Sequence, residues 1–140
     1  MKRHASAIWQ GGIKDGKGSI STQSTVLKEA QYSYSTRFEN GIGTNPEELL
    51  AAAHAGCFSM ALSLVLNQAG LTAERIQTSA TISLEKSGEG FAITESHLEV
   101  EAKVPGATPE AFEKAANGAK ANCPVSKLYN TNITMSAKLV

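Results

Sequence analysis

Apolar and polar positions alternate most regularly in the middle of the chain. Thr78, Ala80, Ile82 and Leu84 share one face of a first segment, and Ala92, Thr94, Leu98, Val100, Ala102 and Val104 share one face of a second. This period of two predicts half-buried strands, joined as a hairpin through Ser87-Gly88-Glu89-Gly90. A third alternation, Thr131, Ile133, Met135, Ala137 and Leu139, predicts a closing strand. Upstream, residues 3–38 read as a meander in which ASAIWQ, SIST and QYSYSTRF are short strands with turn chemistry between them. The segment GGIKDGKG lacks Walker spacing and opens no helix, so it reads as a hairpin tip and not a phosphate cradle.

Between meander and hairpin the period changes. TNPEELL supplies Asn45 as N-cap, Pro46 at the first helical position and Glu48 for a capping box. The helix is expected to run from Pro46 to about Gln68, with Gly70 free to take the left-handed conformation after it. Leu49, Ala53, Cys57, Met60 and Leu64 form one apolar stripe, yet Leu50, Ala52, Ala61, Leu62, Val65 and Leu66 leave little of the circumference polar. Such a helix must be covered on most sides, and a chain of this size has too little else to wrap it. Sheets on one side and a second subunit on another are expected. Thr108-Pro109-Glu110 opens a second helix ending around Ala121 or Asn122, weakened by Gly118, and Cys123-Pro124 starts a short third one. Strands, long helix, hairpin, helices, strand is an α+β order with no βαβ repeat.

Composition narrows the classes. A chain of 140 residues is expected to make one domain, residues 1–140, with a modest core. Lys plus Arg (13) balance Asp plus Glu (13) without any run of like charge, so neither nucleic acid nor a membrane surface is an expected partner. The N-terminal MKRHASAIWQGG never reaches the apolar core of a secretory signal, and a cytoplasmic protein is expected. Two cysteines, Cys57 and Cys123, are too few for a disulfide scaffold.

Those two cysteines, three histidines (His4, His54, His97) and a few charges near the long helix are the candidate chemistry. Taken alone, Cys57 reads as a small apolar filler. Cys123, just before Pro124, would sit at a helix N-terminus, where the dipole favours thiolate. Cys57 lies eleven residues into its helix, beyond the reach of that effect, and its thiolate would need another positive charge. Physical chemistry alone therefore nominates Cys123 as the more activated thiol. His54, three residues before Cys57, admits a Cys-His pair or a zinc site with Cys123, against a hydrogen-bonded structural role. No CxxC or HxxxH spacing supports a metal, and none is expected. His4 lies near a terminus and His97 on the polar face of a strand.

TRFE, GTNPEELLAAAHAGCFSMAL and NCPVS, in this order and separation, resemble the OsmC/Ohr family of thiol-dependent peroxidases. The AIWQGGIKDGKGSIST meander, with an arginine in the strand shortly before the long helix, resembles its osmotically inducible protein C branch. The resemblance covers essentially the whole chain. It implies antiparallel sheets packed around a long central helix and an intertwined homodimer with active sites at the subunit interface, reducing organic hydroperoxides with a dithiol such as a lipoyl group, without cofactor. By position, Cys57 matches the peroxidatic cysteine, Cys123 the resolving one, Arg37 the arginine that pairs with the thiolate, and Glu47 the glutamate that holds the arginine. Phe58, Met60 and neighbouring leucines would give the apolar surround that suits an alkyl hydroperoxide. Glu47 and Cys57 are ten residues apart, about 15 Å along one helix, so Glu47 is expected to act across the dimer. The competing reading is a non-catalytic, stress-related small-molecule-binding dimer whose cysteines only pack.

Overall fold

Three strands open the chain: β1 (Ala5–Gln10), β2 (Lys17–Thr22) and β3 (Ala30–Tyr32), antiparallel in the order β1-β2-β3. The expected hairpin tip connects the first two. Trp9, Gly18 and Tyr32 lie in one row across the three strands. A Cβ at Gly18 would fall 2.3 Å from the Tyr32 ring, so the absent side chain lets Trp9 and Tyr32 meet with ring centroids 5.5 Å apart.

The expected strand QYSYSTRF stops at Tyr32. From Tyr34 to Phe38 the chain is a short helix, α1, and Arg37 stands on it instead of on a strand. The reason is local. The Ser33 hydroxyl accepts from the Thr36 amide at 3.3 Å, and the Thr36 hydroxyl accepts from the Ser33 amide at 2.8 Å, closing a capping box that competes with the sheet ladder.

All 140 residues are described by the computed structural model, and they form two compact units, Met1–Leu49 and Leu50–Val140. Helix α2 (Pro46–Gln68) starts in the first and continues through the second. Its start is capped as expected by Asn45, whose side-chain oxygen accepts from the Glu48 amide at 2.8 Å. The Glu48 carboxylate does not complete the box. It accepts from the Thr44 hydroxyl at 2.7 Å, which leaves the capping one-sided. At the other end Gly70 adopts φ 77°, and the Leu71 and Gly70 amides return to Leu66 and Asn67 at 2.9 and 3.0 Å, a Schellman stop.

In the second unit, α2 buries His54, Phe58, Leu62 and Leu66. This is not the expected Leu49-Ala53-Cys57-Met60-Leu64 stripe: Met60 is 77% and Leu64 59% exposed. A helix apolar all round carries no periodic signal for its inner face. The choice falls to the partners, and Phe58, Leu62 and Leu66 fill the space beside Leu98, Val100, Ala102 and Val104 and beside Phe112, Ala115, Ala116 and Ala119. Full burial of a side chain such as Leu62 contributes roughly 1.5–3 kcal/mol.

Strands β4 (Arg75–Ser87) and β5 (Gly90–Lys103) form the expected hairpin. The register shifts at Ser83/Leu84, with Glu95 opposite Ser83 and Ile93 opposite Leu84. Thr94 is the extra residue of a bulge, so the expected inward row breaks there and Ile93 takes the inward place. After α3 (Pro109–Asn122) and α4 (Pro124–Leu128), strand β6 (Asn132–Leu139) pairs with β5 in parallel. The expectation of antiparallel sheets is corrected at this pair. A parallel neighbour needs a long crossover, and the two helices between β5 and β6 supply it.

Candidate active site

Cys57, on the seventh residue after Leu50 of α2, is partly exposed, whereas Cys123 is fully buried. Their sulfurs share a hydrogen bond at 2.8 Å. Cys123 ends α3 and is the N-cap of α4, yet its side chain makes no capping bond. The backbone amide of Val125, in the first turn of α4, is directed at the Cys57 sulfur. The helix N-terminus nominated for Cys123 therefore serves Cys57. Burial raises the Cys57 thiol above its ordinary value, the bond to Cys123 acts the same way, and the Val125 amide opposes both.

His54 lies one turn before Cys57 and is wholly buried. Its Nδ1 is 2.6 Å from the Ser96 hydroxyl of β5, and its Nε2 is 2.8 Å from the Ser126 hydroxyl of α4. Burial lowers its pKa, so the ring is neutral, and the Tyr129 ring stands edge-on to it at 5.2 Å. Both ring nitrogens are engaged by serines, which supports the structural role over a Cys-His pair. The Tyr129 hydroxyl donates to the Leu50 carbonyl at 2.7 Å. Burial, then the Cys123 and Cys57 charges, push the Tyr129 pKa up and keep the phenol protonated. Ser96, Ser126 and Tyr129 escape a reading of the sequence. For Ser126 and Tyr129 the one signal is spacing, since Cys123, Ser126 and Tyr129 recur every three residues.

In the first unit, Arg37 and Glu47 form a two-pronged ion pair. Nε lies 3.1 and 3.2 Å from the two carboxylate oxygens, and Nη2 2.7 Å from Oε1. The guanidinium also stands 5.3 Å from the Phe38 ring. A cavity of about 250 Å³ beside it is lined by Trp9, Ile13, Tyr32, Tyr34 and Phe38. The expected apolar surround divides differently: Phe58 belongs to the core of the second unit and Met60 to its exposed surface. The four expected site residues thus form two pairs, Cys57 with Cys123 and Arg37 with Glu47, one in each unit.

The sequence pattern of the OsmC-like proteins matches residues 38–138. This chain belongs to the OsmC family. It is 50% identical over 139 residues to peroxiredoxin OsmC of Escherichia coli strain K12, spanning 99% of this chain and 97% of that protein. Among solved structures, OsmC relatives share the fold. An organic hydroperoxide resistance protein from Elizabethkingia anophelis superposes with a TM-score of 0.69 at 26% identity, covering 99% of this chain and 96% of the other. An OsmC-like protein from Mycoplasma pneumoniae superposes with a TM-score of 0.78 at 16% identity, covering 100% and 98%, a likeness of fold alone.

Proposed function

We propose that this chain is a thiol-dependent peroxidase that reduces organic hydroperoxides to alcohols in stress defence. The observation that carries the reading is the contact of a partly exposed thiol, Cys57, with a buried second thiol, Cys123, at 2.8 Å. Its membership of a family with relatives named peroxiredoxin and organic hydroperoxide resistance protein supports it. A packing cysteine needs neither solvent access nor a second thiol in contact.

The Cys57 thiolate attacks the distal peroxide oxygen. The O–O bond breaks, the departing alkoxide takes a proton from solvent and leaves as alcohol, and Cys57 becomes a sulfenic acid. The Cys123 sulfur then attacks Cys57, its thiol proton and the hydroxyl leave as water, and a disulfide forms. An external dithiol, such as a lipoyl group, exchanges with this disulfide, is itself oxidised, and returns both cysteines to thiols.

Burial works against the Cys57 thiolate, so the step needs a positive charge beyond the Val125 amide. Arg37, its fork held by Glu47, supplies it. Glu47 and Cys57 stand ten residues apart on α2, about 15 Å of rise. A guanidinium held by Glu47 is therefore better placed to serve the Cys57 of a second copy. The aromatic cavity beside Arg37 would receive the organic end of the hydroperoxide.

The same proposal accounts for the exposed face of α2. Ala52, Ala53, Gly56, Met60, Ser63 and Leu64 follow one helical stripe and are all exposed. A second copy laid on this stripe of small and apolar residues would make a symmetric homodimer. By length and composition alone α2 could cross a membrane, but its other face holds His54, Phe58, Leu62 and Leu66 in a packed core. The two units act as one functional domain within that dimer, and the protein works in the cytoplasm, where reductant is available. The deciding experiment is oxidation by one equivalent of cumene hydroperoxide followed by thiol counting. One alcohol formed and two thiols lost to an intramolecular disulfide support the reading, whereas two unreactive thiols sink it.

A further inference from the structure

Three side-chain contacts between α2 and the segment carrying α4 fall in a regular order. Leu50 receives the Tyr129 hydroxyl at 2.7 Å, His54 meets Ser126 at 2.8 Å, and Cys57 meets Cys123 at 2.8 Å. Along α2 the positions advance by four and three, one stripe of a helix. Along the facing segment they retreat by three and three. The two elements therefore run in opposite directions past one another, and the thiol contact is the last of three rungs.

The middle rung is unusual in what it costs. His54 occupies the first place of the stripe His54-Phe58-Leu62-Leu66, whose other members are large and apolar, and it is fully buried. An imidazole there gives up its hydration and must find two partners. It finds Ser96 on β5 and Ser126 on α4, and no buried side-chain polar atom is left unpartnered. A leucine would fill the same stripe without that requirement. What it would not do is tie α4 to both α2 and β5. The outer rung adds a second tie at the C-terminal end of α4, where Tyr129 also packs its ring against His54.

We infer that His54 and Tyr129 are positioning residues that fix the register of α4 along α2, and through it the approach of the Cys123 thiol and the Val125 amide to Cys57. A five-residue helix has too few internal bonds to hold a thiol in place by itself. With the Tyr129 and His54 rungs made, only the thiol rung remains to adjust, and the effective concentration of Cys123 at Cys57 is high. The inference rests on the proposed pairing of a reacting with a resolving cysteine, but neither thiol needs a peroxide to be read.

The test replaces the whole buried network at once, His54→Leu with Ser96→Ala and Ser126→Ala, because removing both partners of a hydrogen bond leaves no orphaned group and is often nearly neutral for stability. Two readouts follow: the equilibrium between the Cys57–Cys123 disulfide and glutathione, and the rate of disulfide closure with diamide, which takes up two electrons and two protons. The expected result is a melting temperature close to that of the parent, with closure about tenfold slower and the disulfide about tenfold less favoured. Unchanged closure and unchanged equilibrium in a folded variant would overturn the inference and leave His54 a packing residue. Should the triple variant fail to fold, Tyr129→Phe decides alone. It removes one oxygen, and it is expected to slow closure in the same direction by a smaller factor, while a closure rate equal to the parent's rejects the inference. Failure of the peroxidase reading would show instead as parental thiols that close with diamide but ignore hydroperoxide.

Discussion

Arg37 holds Glu47 in a fork-to-carboxylate ion pair, with Nη2 2.7 Å from Oε1 and Nε within 3.2 Å of both oxygens. The arginine is partly exposed and the carboxylate mostly covered, so the pair orients the guanidinium more than it stabilises the fold. The sequence pointed to both residues, but the pair closes within one chain. What is proposed to cross the dimer is the whole assembly, arginine and glutamate together.

Because a lysine carries the charge without the planar fork, Arg37→Lys is expected to slow Cys57 oxidation by about tenfold or more, and Arg37→Ala further. Glu47→Gln keeps one acceptor for the fork and should cost less than Arg37→Lys. Stopped-flow oxidation with cumene hydroperoxide under single-turnover conditions measures all three. Rates equal to the parent in Arg37→Ala would remove Arg37 from the site.

The cysteines are expected to separate by role. Cys123→Ser should consume about one equivalent of peroxide and hold a sulfenic acid that a dimedone probe captures, while Cys57→Ser consumes none. The reverse pattern would assign the first attack to Cys123, against its complete burial.

Burial raises the Cys57 pKa, which sets the sign of a pH effect. In Arg37→Ala, with the compensating charge gone, the oxidation rate should climb as pH rises through and beyond the ordinary thiol range. The parent should reach its plateau at lower pH. The same shift means that Cys57 favours the fold while protonated: its contribution is complete below the thiol pKa of the unfolded chain and is lost as pH rises through the folded value. Iodoacetamide labelling of Cys57 against pH, on a Cys123→Ser background, follows the ionisation directly. Identical profiles with and without Arg37 would count against the pairing.

If Arg37 of one copy serves Cys57 of another, two inactive chains should complement. Co-expressed Arg37→Ala and Cys57→Ser chains, mixing freely, are expected to recover about a quarter of parental activity, since half the dimers hold one complete site of two. Met60→Glu with Leu64→Lys, placed on the exposed face of α2, should shift the protein to monomer by sedimentation and abolish that complementation. Recovery of nothing from the mixture would place Arg37 and Cys57 in one chain.

His54 is neutral in the fold because burial lowers its pKa from about 6.5. A group with a depressed folded pKa gives stability that is present above the unfolded value and lost as pH falls below it. Urea denaturation should therefore show stability falling as pH drops below about 6.5, with the raised Cys57 and Tyr129 groups uncharged in that window. The variant with leucine at 54 and alanine at 96 and 126 should flatten the fall, and an unchanged slope would assign the proton uptake elsewhere.

Much of the architecture was legible because it is written in local chemistry. Asn45-Pro46 and Thr108-Pro109 start helices through their own side chains and ring geometry, and Gly70 stops one because only glycine takes that φ without strain. Alternation marked β4, β5 and β6. The strand expected at QYSYSTRF became α1 because serine and threonine capping of their own backbone outweighed a β-rich composition. The inner face of α2 was not legible, since a helix apolar on every side leaves the choice to whatever packs against it.

The site divides in the same way. Residue chemistry by itself nominated only Cys123 as an activated thiol, and it was the resemblance of TRFE, NPEELL, AGCFSM and NCPVS to the family's motifs that named Arg37, Glu47 and Cys57 beside it. Only tertiary structure decided which thiol receives the helix N-terminus. Cys123 owns that N-terminus in sequence, but Val125 directs its amide at Cys57. The reason is geometric. A capping position sets where a side chain starts, while the docking of α4 against α2 through His54, Ser126 and Tyr129 sets where the amide points.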